Sequence, residues 1–401
     1  MNKVLALILA GGRGQRMGAL CRTRPKPLLP FGSQYRVIDF TLSNCIHSGI
    51  NDIYALVDFQ HQPAVSYLRD WARQNSVSNL KVLPPVGETY RGTADAVRRN
   101  LELVRNFRPD AVLVLAADHI YRMDYREMIS FHAYFKADVT MAVRTVPIWQ
   151  ASRFGIVTVD ERNRVTRFVE KPDAPQGNLA SMGIYVFKPD KLIAYLEDVE
   201  RFPNLCSDFG NDLIPHIVNQ DNVAAYGFNH YWQDVGTIGA YFKSNMDLLS
   251  RPPRLSLDSN RPVLAGCPGL IPVVSTDLNV ENSIVGCNCV IEGLVEDSIV
   301  GDNVRVGRHA VVRNSIIFSN ADIGEYSLID HCVVDDDVKV EKFCYLGRPW
   351  VLHYNTDITV LNRGQTLSQY DSLLLNYRKT TSLDIGYLTN GHARTEQIIA
   401  R

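Results

Sequence analysis

Apolar residues along the chain follow two different rhythms. Up to about residue 248, short continuous apolar runs alternate with longer segments whose apolar residues fall three or four apart. The runs at 4–10, 53–57, 111–117 and 139–143 predict buried strands, and the segments 40–48, 62–74 and 94–106 predict helices. This alternation is the pattern of an α/β fold with a doubly wound, mostly parallel, Rossmann-like sheet. After it comes a stretch rich in proline and glycine, including Pro252, Pro253, Pro262, Pro268, Gly269 and Pro272, which reads as a connector over 249–279.

From residue 280 the beat changes to six. Val300, Val306 and Val312 are followed by Ile317, Ile323 and Ile329, then by Val334, Val340 and Leu346, each triplet lying 17 residues beyond the last. Strand alternation has period two and would not keep returning to a six-residue beat, so residues 280–367 are expected to form a left-handed parallel β-helix with three hexads per coil. Val285 and Ile291 belong to an earlier, less regular coil. The chain beyond Gly347 is available to cap the last rung, and residues 368–401 form a tail.

Length and composition agree with more than one domain. The chain has 401 residues, 46% of them hydrophobic and 21% charged, which excludes disorder. Its formal charge of -1 offers no broad field for nucleic acid or an acidic membrane. The 8 cysteines are too sparse for a disulfide scaffold and lack zinc-type spacing, so reduced thiols in a cytoplasmic protein are expected. The apolar run at 4–10 leads straight into Gly11-Gly12-Arg13-Gly14 and reads as a strand, not a signal peptide. No apolar stretch approaches the roughly 18 residues of a membrane span.

The glycine loop is the first candidate for chemistry. Glycines after a parallel strand let backbone N–H groups approach a phosphate, and Arg16 and Lys26 supply cations. Neither the P-loop spacing nor the Rossmann GxGxxG is present, and a plain βα turn would also account for the glycines.

The motifs together resemble the sugar-1-phosphate nucleotidylyltransferases. Residues 9–16 (LAGGRGQR) and 24–32 (RPKPLLPFG) carry the general likeness, and 35–45 (YRVIDFTLSNC) narrows it to the bacterial and plant ADP-glucose pyrophosphorylases, or glucose-1-phosphate adenylyltransferases. Tyr90–Ala96, Ala117–Tyr121, Phe168–Pro172, Ser181–Tyr185, Asp208–Gly210 and Tyr231–Thr237 resemble that family in its order. The resemblance implies a nucleotidyltransferase domain over 1–248 and the reaction of ATP with α-D-glucose 1-phosphate to give ADP-glucose and pyrophosphate. It also implies Leu9, Ala10, Gly11, Gly12, Gly14, Arg16, Lys26, Gly92 and Thr93 around the nucleotide, and Tyr90, Gly155, Glu170, Lys171 and Ser181 around the sugar phosphate.

The apolar run 111–117 is a central strand that ejects Asp118 at its carboxyl end, where α/β sheets place ligands. Asp118 and Asp234 are expected to hold Mg²⁺, although an aspartate after a strand can equally cap a helix. Glu170-Lys171 can meet a sugar phosphate from both sides or stand as a solvated turn. Catalysis would rest on alignment and charge neutralisation by Arg16, Lys26 and Asp118, with no covalent intermediate. His119 is read as structural.

Several positions depart from the family pattern. Thr23 replaces a lysine that serves activation by phosphorylated sugars, and Asp58, Thr89 and a short loop at 83–89 alter the side of the site that faces the base. A GTP- or UTP-dependent sugar-1-phosphate nucleotidylyltransferase and a non-catalytic regulatory subunit are the alternatives. The family implies a homotetramer and an anionic metabolite effector; Arg24, Arg305 and Arg308 are available to bind one, although solvated surface charge is the readier role for each.

Overall fold

The computed structural model describes residues 3–58, 61–197, 207–257, 260–266, 273–274, 279–347 and 358–379. Contacts divide the chain into two units, Met1–Pro272 and Val273–Arg401.

The first unit is built on a nine-stranded sheet. Its strands are β1 (Val4–Leu9), β2 (Ile53–Leu56), β3 (Leu80–Leu83), β4 (Ala111–Ala116), β5 (Val139–Thr145), β6 (Gly155–Val159), β7 (Val165–Glu170), β8 (Leu179–Phe187) and β9 (Val223–Gly227). β3, β2, β1 and β4 lie side by side and parallel. β8 joins them to the rest of the sheet, running antiparallel to β4, β5 and β6. β1 explains the winding: Leu5 and Leu7 pack into one apolar layer while Ala6 and Ile8 pack into the other. Alternate residues facing two covered sides make a strand read as one continuous apolar run.

Helices differ from the sequence expectation at two places. α1 (Val37–His47) starts three residues early, because the Asp39 carboxylate accepts the Arg36 N–H at 2.9 Å and closes the first turn. α2 (His61–Gln74) matches closely. The single helix expected over 94–106 is two, α3 (Thr93–Arg98) and α4 (Leu101–Phe107). Asn100 stands at the break; its side chain donates to the Ala96 carbonyl at 2.8 Å and to Tyr90 Oη at 3.2 Å. An amide that bonds back to its own helix competes with the helical ladder.

The proline-rich segment is fastened along the first unit over its described part. Trp71 Nε1 and Asn75 Nδ2 donate to the carbonyls of Leu264 and Ala265, each at 3.0 Å, and Arg261 pairs with Asp124 at 2.6 Å. A Cβ at Gly266 would lie 2.7 Å from the Tyr67 ring. Tyr67 in turn donates to both oxygens of the fully buried Asp39 at 2.8 Å. Here the strap, α1 and α2 converge on one carboxyl group.

The second unit is a stack of triangular coils. Three parallel sheets run its length: Val295, Val312, Ile329 and Leu346 are in register on one face, Val300, Ile317, Val334 and Leu361 on the second, and Val306, Ile323, Val340 and Leu367 on the third. All nine residues of the expected triplets are buried, and successive coils step by 17. Val285 and Ile291 pair with Val300 and Val306, so the earlier coil steps by 15. Residues 348–357 lie outside the described part, and the step from Val334 to Leu361 lengthens to 27. Leu375, on the helix Gln369–Lys379, joins the buried core, so part of the tail covers the last coil. Residues 380–401 are outside the described part.

Coil corners impose a backbone demand. Among the described residues, eleven from Asn282 to Phe343 have φ between 43° and 62°. Asn and Asp reach this left-handed region most readily of the residues that carry a Cβ. Asn303, Asn320 and Asp337 form one corner column, tied by amide hydrogen bonds of 3.1 and 3.0 Å. His309, Tyr326 and Phe343 form another, where ring stacking at 4.8 and 5.1 Å offsets the strain of aromatic residues in that conformation. Inside the coils Ser283, Ser298 and Ser315 make a buried column, each hydroxyl accepting the N–H of the residue one coil on.

Two outcomes follow from this packing. Ile329, buried between Val312 and Leu346, should cost about 2–5 kcal/mol when cut to Ala, measured by denaturant unfolding. Burial raises the Asp39 carboxyl to about 7, against the opposing hydrogen bonds from Arg36 and Tyr67. The folded state therefore holds this proton more tightly than the unfolded chain, and stability falls as pH rises from about 4 to about 7. Asp39→Asn should flatten that part of the profile of melting temperature against pH; an unchanged slope would assign it to other groups.

Candidate functional site

The glycine loop is shaped by close approaches. β1 ends at Leu9, and the Ala10 N–H donates to the Leu56 carbonyl at 2.9 Å. A Cβ at Gly11 would sit 2.9 Å from the Asp58 Cβ. Gly14 has φ 62°, and a Cβ there would lie 2.8 Å from Cys21 Sγ and 3.2 Å from the Lys26 Cβ. Only glycine satisfies both limits, and the loop thereby closes over the stem of Lys26.

Beneath the loop is a cavity of about 320 Å³, bordered by Leu9, Gly11, Gly12, Lys26, Asp58, Tyr90, Gly92, Thr93, Asp118 and Asp208. Gly92 is required by space alone, since a Cβ would be 2.2 Å from the Ser207 carbonyl oxygen. Thr93 Oγ1 donates to Asp208 at 2.8 Å and accepts the Phe209 N–H at 3.0 Å. A larger cavity of about 780 Å³ lies elsewhere in this unit, beside Asn44, Arg122 and Arg261, and none of the motif residues with an expected role borders it.

Lys26 is the electrostatic centre. Its ammonium is buried, 2.6 Å from Asp118 Oδ2 and 3.6 Å from Asp234 Oδ1. Asp118 follows β4, and Asp234 ends the short strand Trp232–Asp234, which pairs antiparallel with His119–Tyr121 and sets Asp234 opposite His119. Burial works against the Lys26 charge, but the two carboxylates outweigh it and its pKa lies above the usual lysine value. Asp118 resists burial in the same way, held well below the carboxylate range chiefly by Lys26. Arg16 reaches the same spot: its Nη2 is 3.1 Å from where a Cβ of Gly236 would be.

Asp118, His119 and Asp234 each offer one atom within 4.8 Å of the others. Two carboxylates and an imidazole nitrogen so placed suit a divalent metal ion. His119, expected as structural, thus belongs to the donor cluster.

On the other side of the site, β6 and β7 bring Gly155 opposite Glu170. Cβ atoms at Gly155 and Gly210 would each lie 2.7 Å from Glu170 Oε2, so this carboxylate is seated between two glycines. The Lys171 ammonium pairs with Glu170, and the Lys171 backbone N–H donates to the Phe154 carbonyl at 3.0 Å. Ser181 is buried, with its hydroxyl 3.3 Å from that of Tyr185. Tyr90, expected at the sugar phosphate, borders the cavity under the glycine loop.

Arg153, Asp208 and Trp232 are site residues to which the sequence assigned no role. Asp208 had a signal in its Asp-Phe-Gly motif, and Trp232 in its place beside Asp234; Arg153 had none. Among the described residues, His119 Nδ1, Arg153 Nη2, Trp232 Nε1 and Asp58 Oδ1 are buried without a hydrogen-bond partner. Arg24, expected as solvated surface charge, is only 6% exposed. It lies two residues from Lys26, in the segment the loop folds over. Arg305 and Arg308 are exposed, and both pair with Glu292.

Comparison with known proteins identifies the family. A family model described as nucleotidyl transferase matches residues 5–251, and one described as GlmU-like, C-terminal hexapeptide matches 274–360. The glucose-1-phosphate adenylyltransferase of Geobacillus stearothermophilus is 41% identical over 323 residues, 78% of this chain and 84% of that one. The enzyme of the same name from Desulforamulus reducens is 39% identical over 357 residues, 86% and 90% of the two chains. The chain belongs to the glucose-1-phosphate adenylyltransferase family. Its two units are accordingly a Rossmann-like nucleotidyltransferase domain and a left-handed hexapeptide β-helix. The adenylyltransferase of Clostridium acetobutylicum, 39% identical over 322 residues, covers 78% of this chain and 85% of its own.

Gly14→Ala tests the loop. A Cβ in the left-handed region costs about 1–2 kcal/mol before any contact with Cys21. The variant should melt lower and bind ATP more weakly by calorimetry, whereas Gly12→Ala, whose Cβ meets nothing within 4 Å, should keep the parent melting temperature.

Proposed function

We propose that the protein transfers an adenylyl group from ATP to α-D-glucose 1-phosphate, forming ADP-glucose and pyrophosphate for glycogen or a starch-like glucan. The observation that carries this reading is the buried Lys26 ammonium between Asp118 and Asp234, at the mouth of a glycine cradle and on the same unit as the Glu170–Lys171 pair. A phosphate oxygen of glucose 1-phosphate attacks the α-phosphorus in line, the new O–P bond forms, and the bond to the β-phosphate oxygen breaks. Arg16 and Lys26 neutralise charge on the α-phosphate and the departing pyrophosphate. Leu9, Ala10, Gly11, Gly12, Gly14, Gly92 and Thr93 shape the nucleotide pocket; Gly155, Glu170, Lys171, Ser181 and Tyr90 hold the sugar phosphate.

Asp118 and Asp234 are hard oxygen donors and would hold Mg²⁺. When bound, the ion supplies further charge neutralisation at the phosphates. The choice of ATP is supported by the relatives, which are glucose-1-phosphate adenylyltransferases. The same reading includes a cytoplasmic homotetramer with an anionic effector, supported by the family resemblance. In the described residues no helix is long and apolar enough to cross a membrane.

Pyrophosphate release with Mg²⁺, glucose 1-phosphate and ATP, GTP, UTP, CTP or dTTP in parallel tests the proposal. ATP should be strongly preferred, and Asp118→Asn should lower turnover by roughly 100-fold or more. Preference for GTP or UTP would transfer the chemistry to another nucleotide, with Asp58, whose buried Oδ1 has no partner among the described residues, as the first residue to exchange. Silence with all five despite ATP binding would make the chain a regulatory subunit.

A further inference from the structure

Arg153 closes the short helix Ile148–Arg153, and Phe154 then leads into Gly155 and β6. Its Nη2 is buried, 3.9 Å from Asp234 Oδ2, and has no hydrogen-bond partner among the described residues. That separation is beyond hydrogen-bond reach. The other carboxylate oxygen of Asp234 already faces Lys26 at 3.6 Å and His119 at 3.9 Å. A guanidinium nitrogen removed from water with no acceptor is costly, and the cost disappears when an anionic oxygen arrives.

The neighbours of Arg153 indicate which oxygen that is. The guanidinium stands 5.7 Å from the Phe154 ring, and that ring packs on Trp232 at 5.3 Å. The Phe154 carbonyl accepts the Lys171 N–H, and the next residue, Gly155, faces the Glu170 carboxylate. Arg153 therefore bridges Asp234 and the elements proposed to hold the sugar phosphate, whereas Lys26 and Arg16 reach the surroundings of Asp234 from the glycine-loop side. We infer that Arg153 binds the phosphate group of glucose 1-phosphate, directing its attacking oxygen toward the α-phosphorus beside Asp234. A planar fork of donors can hold two phosphate oxygens at once and so fix the orientation of the third. This assignment rests on the adenylyltransferase reading and adds a substrate-binding residue to it.

Steady-state kinetics and calorimetric titration of glucose 1-phosphate into the full-length enzyme test the inference. Arg153→Ala should raise KM for glucose 1-phosphate and weaken its direct binding by roughly ten- to a hundredfold, with KM for ATP and melting temperature nearly unchanged. Arg153→Lys, which keeps the charge and loses the fork, should fall between. Unchanged affinity for glucose 1-phosphate in Arg153→Ala would overturn the inference. So would an equal rise in both KM values with a lower melting temperature, which would make the residue a structural partner of Asp234. Inactivity of the parent enzyme with ATP and glucose 1-phosphate would instead count against the reaction itself.

Discussion

A buried ammonium cannot persist without compensating charge, and in this protein the compensation for Lys26 comes from two distant parts of the chain. Asp118 arrives at the end of the central strand and Asp234 on a strand paired beside it. Removing either carboxylate would leave a poorly solvated cation, so loop, strand end and strand pair hold one another in place. Gly14 belongs to the same constraint, because its missing Cβ is what allows the loop to lie against the Lys26 stem. The order is electrostatic first and conformational second: the charges require proximity, and the glycines make it possible.

The surroundings of this centre are polar. Buried donors on Arg153 and Trp232 and an acceptor on Asp58 have no partner among the described residues. Most buried polar groups in folded proteins are satisfied, so unsatisfied ones gathered near a site indicate by complement the kind of ligand it can take. Donors predominate beside Asp234, as an anionic substrate requires. The arrangement is a preorganised polar surface, whose groups are oriented before the reacting charge appears.

Much of this was legible in the sequence. Repeated burial of every sixth residue left so regular a trace that the three faces and the 17-residue coil could be read directly, and the shorter first coil was visible as its irregular neighbour. Strands buried on both sides were found within about two residues of their ends. The break at Asn100 was missed because periodicity registers apolar faces and is blind to a side chain that bonds back to its own helix. Lys26, Asp118 and Asp234 were recognisable from their motifs, but Arg153 was not. Nothing in a lone arginine before Phe-Gly distinguishes a solvated side chain from one folded toward a carboxylate some eighty residues later. The proline-rich stretch likewise concealed its attachments, because Trp71 and Asn75 bond to its backbone, and backbone acceptors leave no mark in the sequence.

The coil architecture has a further consequence. Each coil exchanges hydrogen bonds and apolar contacts only with the coil before and the coil after it, so cooperativity spreads along one axis, as in a zipper. Its resistance to opening is set by the weakest seam between neighbours, and fraying is expected to begin at the ends: at the irregular first coil, or where the longer step toward Leu361 interrupts the rhythm. An insertion between two rungs can be absorbed at one corner without shifting the register of any other rung. A globular core, where one displaced residue disturbs all its neighbours, has no comparable freedom to lengthen.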